Sequence, residues 1–164
     1  MFEHELHDCL TKSGASLVGF SALGDKASPD FPALRFAVTI VRRLSDTVVE
    51  TIDGKPSIQY FHHYRITNTK LDLLALDAVD FIEAHGFSAL PIAASQSTNT
   101  DKDAYRGVFQ HKTAAVLAGL GFIGKSGLFI TKEYGSKVRL ATVLTDMPLI
   151  PSGAVITAPD GISG

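Results

Sequence analysis

The sequence predicts a single domain of the α/β class, and three observations indicate it. Apolar residues recur at helical spacing in a long segment over residues 60–86. A continuous apolar run over residues 36–41 is typical of a strand buried on both faces. The chain has 164 residues, of which 45% are hydrophobic, so it is long enough for one core and too short for two comfortable ones.

The first half of the chain alternates helical and strand patterns. The predicted elements are, in order, a helix over residues 3–13, strands over 16–20 and 36–41, an irregular stretch over 44–59, a helix over 60–86 and a strand over 87–92. Gly14 and Gly86 follow the two helices and are typical C-terminal caps. The segment predicts one long helix, and a break near Thr67 and Asn68 is an alternative that the sequence leaves open.

Residues 111–146 contain five glycines between an Ala-rich run and a Leu/Ile/Val-rich run. The Ala-rich residues 111–118 predict a helix that ends at Gly119. Residues 127–131 and 138–145 predict two strands, separated by a turn at 133–136. The glycines are therefore expected to join a helix to a hairpin.

Two short phosphate-binding patterns also fit this segment. Residues 119–124 match GxGxxG, and 119–126 match GxxxxGK[ST]. Both patterns require a strand before the glycines and a helix after them, so that the helix N-terminus faces the phosphates. The expected order here is reversed, and the carbonyl end of a helix repels phosphate. A second alternative stays open, in which the glycines only allow a helix to pack closely on a sheet.

Composition limits the function classes. The formal net charge is −2 and no basic run is present, which argues against nucleic acid as the main partner. No apolar stretch is long enough to span a bilayer, and the N-terminus does not have the pattern of a signal peptide, so a cytoplasmic protein is expected. Cys9 is the one cysteine, which excludes an internal disulfide and any multi-thiolate cluster within this chain.

A longer signature is more specific than the short patterns. The run HKTAAVLAGLGFIGKSGLFITKEYGSKVRLATVLTDMPL resembles the central signature of the epoxyqueuosine reductases and the corrinoid-dependent reductive dehalogenases. In that family AGLG, G-K-x-x-L, Y-G-S-x-V-R-L and T-D-x-P-L occur in this order. The opening helix with GASLVGFSAL and the long helix with GFSALP also fit, so the resemblance covers most of residues 1–149.

The resemblance implies a nitroreductase-like cobalamin-binding domain over residues 1–149, with a mixed sheet flanked by helices. The corrin is expected in its base-off form against the glycine segment, where a flat backbone surface and scattered donors suit a broad plate with amide arms. The residues expected to bind it are His111, Gly119, Leu120, Gly121, Phe122, Gly124, Lys125 and Ser126. His111 is expected to donate hydrogen bonds at the helix start rather than to ligate cobalt, because no D-x-H-x-x-G pattern surrounds it.

Two departures from the family bear on activity. The family's reductases carry cysteine-rich iron-sulfur motifs after T-D-x-P-L, whereas residues 150–164 hold none, so the clusters are expected from a missing region or a partner. The family's proton-donating aspartate corresponds in position to Tyr105, and the dehalogenases use a tyrosine, which makes Tyr105 the candidate catalytic acid. The alternatives are a flavin-binding nitroreductase-like protein and a non-catalytic interaction module.

Overall fold

The structure, a computed structural model, describes residues 2–94 and 110–153. Its helices are α1 (Phe2–Lys12), α2 (Asp46–Val49), α3 (Ile58–Ala84) and α4 (His111–Leu117), and a short 3-10 turn covers Gly24–Lys26. Its strands are β1 (Leu17–Ala22), β2 (Phe36–Arg43), β3 (Ala89–Ile92), β4 (Gly121–Ile123), β5 (Phe129–Thr131) and β6 (Val138–Thr145). The predicted α/β class and most of the predicted elements are confirmed.

The main sheet contains four strands in the order β1-β2-β6-β3. Every neighbouring pair is antiparallel, so the expected mixed sheet is wrong for the described strands. The long helix α3 carries the chain from β2 to β3, and these two strands run in the same direction. They would make a parallel pair if they were neighbours, but β6 lies between them and is antiparallel to both.

Helices cover both faces of this sheet. Alternate residues of β2 and β6, such as Val38 and Val143, pack against α1 and α3 in the largest core cluster. The intervening residues face α4 and the β4–β5 hairpin, and they include Val41 and Leu140. Because β2 and β6 are buried on both sides, their sequences are nearly continuous apolar runs, which was predicted for residues 36–41 but not for β6.

One open alternative is decided and one local expectation is corrected. The long helix α3 runs without a break from Ile58 to Ala84, because Thr67 and Asn68 point into the protein and are buried there. The expected hairpin partner of β5 is also wrong: β5 pairs with β4, which lies inside the glycine segment, and β6 joins the main sheet instead. No helix within residues 2–94 and 110–153 is long and apolar enough to cross a membrane.

Candidate functional site: a cavity between helix α4 and the glycine hairpin

Helix α4 ends at the first glycine of the segment, as the sequence predicts. Gly119 has φ +74°, its N–H donates to the Val116 carbonyl, and the Leu120 N–H donates to the Ala115 carbonyl at 3.1 Å. These bonds form a Schellman cap, for which glycine is preferred because a Cβ is strained at positive φ. Since a helix enters the glycines and strands leave them, the structure does not have the context of a phosphate loop.

Gly121 is required by the packing of the hairpin itself. A Cβ at this position would overlap the carbonyl oxygen of Ile130 and lie 2.8 Å from the ring of Phe129. The backbone of β5 therefore passes directly over Gly121, and the space that its missing side chain leaves is filled by the protein. The close approach at Gly121 is between two strands of the hairpin, and so it differs from the close packing of a helix on a sheet that the sequence left open.

A cavity of about 340 Å³ lies between α4, the hairpin and β6. The residues that line it include His111, Lys112, Leu128, Phe129, Val138 and Arg139. Leu128 is 47% exposed, so an apolar wall faces the opening. The Lys112 ammonium donates to the Gly127 carbonyl at 2.6 Å and so ties the first turn of α4 to the hairpin turn.

His111 lines this cavity and connects three elements of the fold. Its Nε2 lies 2.8 Å from the Ala93 carbonyl oxygen, and its Nδ1 lies 2.7 Å from the Thr142 hydroxyl on β6. A carbonyl can only accept, so Nε2–H donates to Ala93 and Nδ1 accepts from Thr142 in the neutral ring. Both ring nitrogens are thus engaged by the protein.

Burial lowers the pKa of His111. The hydrogen bond to the Ala93 carbonyl raises it, the Arg139 guanidinium lowers it, and the Asp72 carboxylate raises it, in decreasing order of size. The net direction is downward from the ordinary value of 6.5, so the neutral ring is the form that the fold favours.

Arg139 is a cavity residue whose surroundings the sequence did not predict. Its Nε donates to the Asn68 side chain at 3.2 Å, and its guanidinium carbon lies 4.1 Å from the centre of the Tyr64 ring. Asn68 is a polar residue on the buried face of α3, and Arg139 interrupts an apolar strand. A polar residue on a buried helix face and a charged residue in an apolar strand each indicate, from the sequence alone, a side chain with a partner inside the protein.

The predicted cofactor residues are only partly brought together. His111 lines the cavity, whereas Lys125 and Ser126 are exposed in the turn between β4 and β5. The remaining members lie in the α4 cap and in β4 or just after it, namely Gly119, Leu120, Gly121, Phe122 and Gly124. Tyr105 lies outside the described residues. Within the described part of the chain no three His, Cys, Asp or Glu side chains are grouped as metal ligands.

The lowered pKa of His111 makes stability depend on pH. In the unfolded chain the ring takes up a proton below its ordinary pKa of 6.5, whereas the folded protein resists this, so protons favour unfolding. We expect the free energy of unfolding to be highest above that pKa and to fall as pH decreases from about 7.5 to about 5.5. Urea titrations across this range measure it.

The matched variant is His111→Gln, which has no titrating ring at this position. It should lose stability overall but show a flatter dependence on pH than the unmodified chain. Part of the slope remains because burial and the nearby Arg42 lower the pKa of His63 as well. If the unfolding free energy of His111→Gln depended on pH as strongly as that of the unmodified chain, the lowered pKa of His111 would not explain the dependence.

Comparison with known proteins gives one curated relative and several solved structures. The tetrachloroethene reductive dehalogenase of Sulfurospirillum multivorans is 42% identical over 71 residues, which are 43% of this chain and 12% of that protein. A reductive dehalogenase structure, described as suggesting a mechanism for B12-dependent dehalogenation, matches 94% of this chain and 21% of its own, at TM-score 0.68 and 18% identity.

The epoxyqueuosine reductase of Streptococcus thermophilus matches 97% of this chain and 50% of its own, with TM-score 0.63 and 19% identity. The fold is that of the epoxyqueuosine reductases and reductive dehalogenases. The resemblance to these two groups of proteins that the sequence predicts is supported by the local identity to the dehalogenase and by the shared fold. No protein-family model matches the chain. The chain spans half or less of the length of these relatives.

Proposed function

We propose that this chain is the cobalamin-binding domain of a redox protein similar to epoxyqueuosine reductase. The observation that carries the proposal is the 42% identity to a reductive dehalogenase over 71 residues, together with a fold shared with a B12-dependent dehalogenase. Residues 1–149 form this domain in our proposal, with the architecture of a nitroreductase-like protein. Residues 150–164 are a tail or the start of an iron-sulfur portion.

The side chains around the cavity are compatible with one side of a corrin. A corrin is a broad apolar plate with amide arms, and small-molecule sites pair apolar walls with a few oriented polar groups. Leu128 and Phe129 offer the wall, while Lys112 and Arg139 offer donors for amide or phosphate oxygens. At about 340 Å³ the cavity is at the small end of cofactor sites, so these residues cover part of the cofactor and do not enclose it.

Three features of the chain define its roles toward the cofactor. Both ring nitrogens of His111 are hydrogen-bonded to the protein, which argues against ligation of cobalt by this histidine. Base-off binding is proposed from the resemblance. The exposed Lys125 and Ser126 are proposed to contact the polar arms from the hairpin turn. The cofactor supplies a reducible cobalt, Tyr105 is the proposed acid that protonates the product, and electrons come from iron-sulfur clusters of a missing region or a partner.

The visible spectrum of cobalamin tests this proposal. We expect the purified chain to shift cobalamin to its base-off spectrum with one cofactor per chain at saturation. Lys112→Met should weaken binding about tenfold, since the lost charged hydrogen bond holds the hairpin turn against α4. The matched control Lys132→Met removes an exposed lysine that does not line the cavity, and it should bind as the unmodified chain does. Absence of any spectral shift would refute the proposal.

A non-catalytic interaction module is the second candidate, because one specific observation favours it. The ring of Phe129 and the backbone of Ile130 fill the space beside Gly121, so that part of the glycine segment cannot serve as a bare surface for a cofactor. A flavin remains the alternative cofactor. A flavin-binding protein would release a yellow chromophore when it is denatured, whereas an interaction module would release none.

A further inference from the structure

The cavity beside β6 lies where the main sheet lacks a strand. β2 pairs with β6 along the whole of β6, whereas β3 pairs only with residues 142–145. Within the described residues, residues 138–141 of β6 therefore have no neighbouring strand on that side. The cavity of about 340 Å³ borders this stretch. An unpaired strand edge presents backbone N–H and C=O groups, so the cavity is bordered by polar backbone as well as by side chains.

The charged side chains that line this cavity are positive. Lys112 and Arg139 line it, and no aspartate or glutamate does so among the described residues. The chain as a whole has a formal net charge of −2, so the cavity differs in sign from the rest of the protein. Asp72 is close to this region, but its carboxylate accepts from the Ala94 N–H at 2.9 Å, and Asp72 does not line the cavity. The local charge therefore favours an anionic ligand.

The guanidinium of Arg139 is held by its neighbours, but its terminal nitrogens are not fully used. Its Nε donates to the Asn68 side chain at 3.2 Å, and the Tyr64 ring centre lies 4.1 Å from the guanidinium carbon. Nη2 lies 3.5 Å from the Ala94 carbonyl oxygen, which is long for a hydrogen bond. Within residues 2–94 and 110–153 no carboxylate forms an ion pair with Arg139. Terminal N–H groups of a guanidinium bind carboxylate or phosphate oxygens in a bidentate pair.

We propose that the cavity binds an oxyanion, the phosphate or carboxylate group of its ligand, at the terminal nitrogens of Arg139. Lys112 supplies a second positive charge, and its ammonium has two further N–H groups besides the one that donates to the Gly127 carbonyl. Tyr64 and Asn68 are positioning residues, because they hold the guanidinium and do not line the cavity themselves. The oxyanion belongs to the phosphodiester in the nucleotide arm of cobalamin or to an anionic substrate. The cobalamin source rests on the proposed function, whereas oxyanion binding itself does not.

Titration of the unmodified chain with inorganic phosphate, at constant ionic strength set with chloride, tests the oxyanion site. The backbone amide signals of Lys112 and Leu140 should shift in NMR spectra, with a dissociation constant on the order of 1 mM. Arg139→Gln should weaken this binding at least about tenfold, because it removes charged hydrogen bonds. Arg35→Gln is the matched control, since Arg35 is exposed and does not line the cavity, and it should bind phosphate as the unmodified chain does. If these amides of the unmodified chain did not shift with up to about 20 mM phosphate, the proposal would be overturned.

Two variants of Tyr64 test its positioning role. Tyr64→Phe keeps the ring face under the Arg139 guanidinium and should bind phosphate as the unmodified chain does. Tyr64→Leu removes the ring and should weaken phosphate binding about fivefold. Circular dichroism verifies that each variant is folded. Equal affinities of the two variants for phosphate would overturn the positioning role.

Two corrinoids distinguish the sources of the oxyanion, because cobinamide has the corrin of cobalamin but lacks the nucleotide arm with its phosphodiester. If that phosphodiester occupies the site, cobalamin should bind about tenfold more tightly than cobinamide, and Arg139→Gln should remove the difference. Bound cobalamin should then exclude inorganic phosphate. If an anionic substrate occupies the site, both corrinoids should bind alike, and phosphate should still bind to the complex.

The same measurements separate this inference from the proposed function. A chain that binds phosphate at the cavity but neither corrinoid would support the oxyanion site and refute the proposed function. A chain that binds both corrinoids equally and no phosphate would overturn the oxyanion site and leave the proposed function standing.

Discussion

Gly121→Val is expected to lower the free energy of unfolding by about 3 kcal/mol and to open the β4–β5 hairpin. A side chain at this position meets the carbonyl of Ile130, which belongs to the strand backbone and cannot move without breaking the pairing of β4 with β5. The same hairpin forms one wall of the cavity through Leu128 and Phe129. The variant should therefore lose both stability in urea unfolding and the base-off shift of added cobalamin.

Gly127→Ala is the matched control in the same hairpin. Gly127 has φ +83°, and no heavy atom lies within 4 Å of a Cβ built there. An alanine is therefore strained only through its backbone, which costs about 1 kcal/mol. If the two variants lost the same stability, steric overlap at Gly121 would not explain the requirement for glycine.

His111→Phe is expected to lower the free energy of unfolding by about 2 to 3 kcal/mol. Phenylalanine keeps the ring in the same space but removes both hydrogen bonds. The Thr142 hydroxyl is fully buried, so it loses a partner that water cannot replace, and the Ala93 carbonyl loses its donor. Because His111 joins α4 to β6 and to the end of β3, the loss should reach the whole domain rather than one helix.

A double-mutant cycle separates the hydrogen bond from the loss of shape. Thr142→Val removes the hydroxyl and keeps a branched side chain of similar size. Combined with His111→Phe it should cost about 1 kcal/mol less than the sum of the two single changes, because the valine leaves no buried hydroxyl unsatisfied. Additive effects would show that the 2.7 Å contact contributes little.

The parts of the fold that the sequence predicted correctly are those fixed by neighbouring residues. The end of α4 at Gly119 follows from a local cap, and the long helix α3 follows from its apolar spacing. Strand β4 was missed because it is three residues long and begins with a glycine that ordinarily marks a loop. The antiparallel pairing of the sheet was not predicted, because it depends on the position of β6 between β2 and β3. No local sequence pattern encodes that position.

The site was less predictable than the fold, for a related reason. His111 was identified through the family signature, but its two partners come from β3 and β6, which are distant in sequence. The Tyr64 ring and the Asn68 amide meet Arg139 only after α3 packs on β6. Periodicity reports which face of a helix is buried, and it does not report which polar groups meet there.

The central place of β6 also has a consequence for biosynthesis. Phe36 of β2 pairs with Thr145 of β6, and the edge strand β3 has β6 as its neighbour in the sheet. While a ribosome is still adding residues before Val138, the finished β1–β2 pair and the β3 segment have open edges and an uncovered apolar surface. Such nascent chains fold slowly and are prone to self-association, so chaperone contact during translation is expected to matter for the yield of this protein.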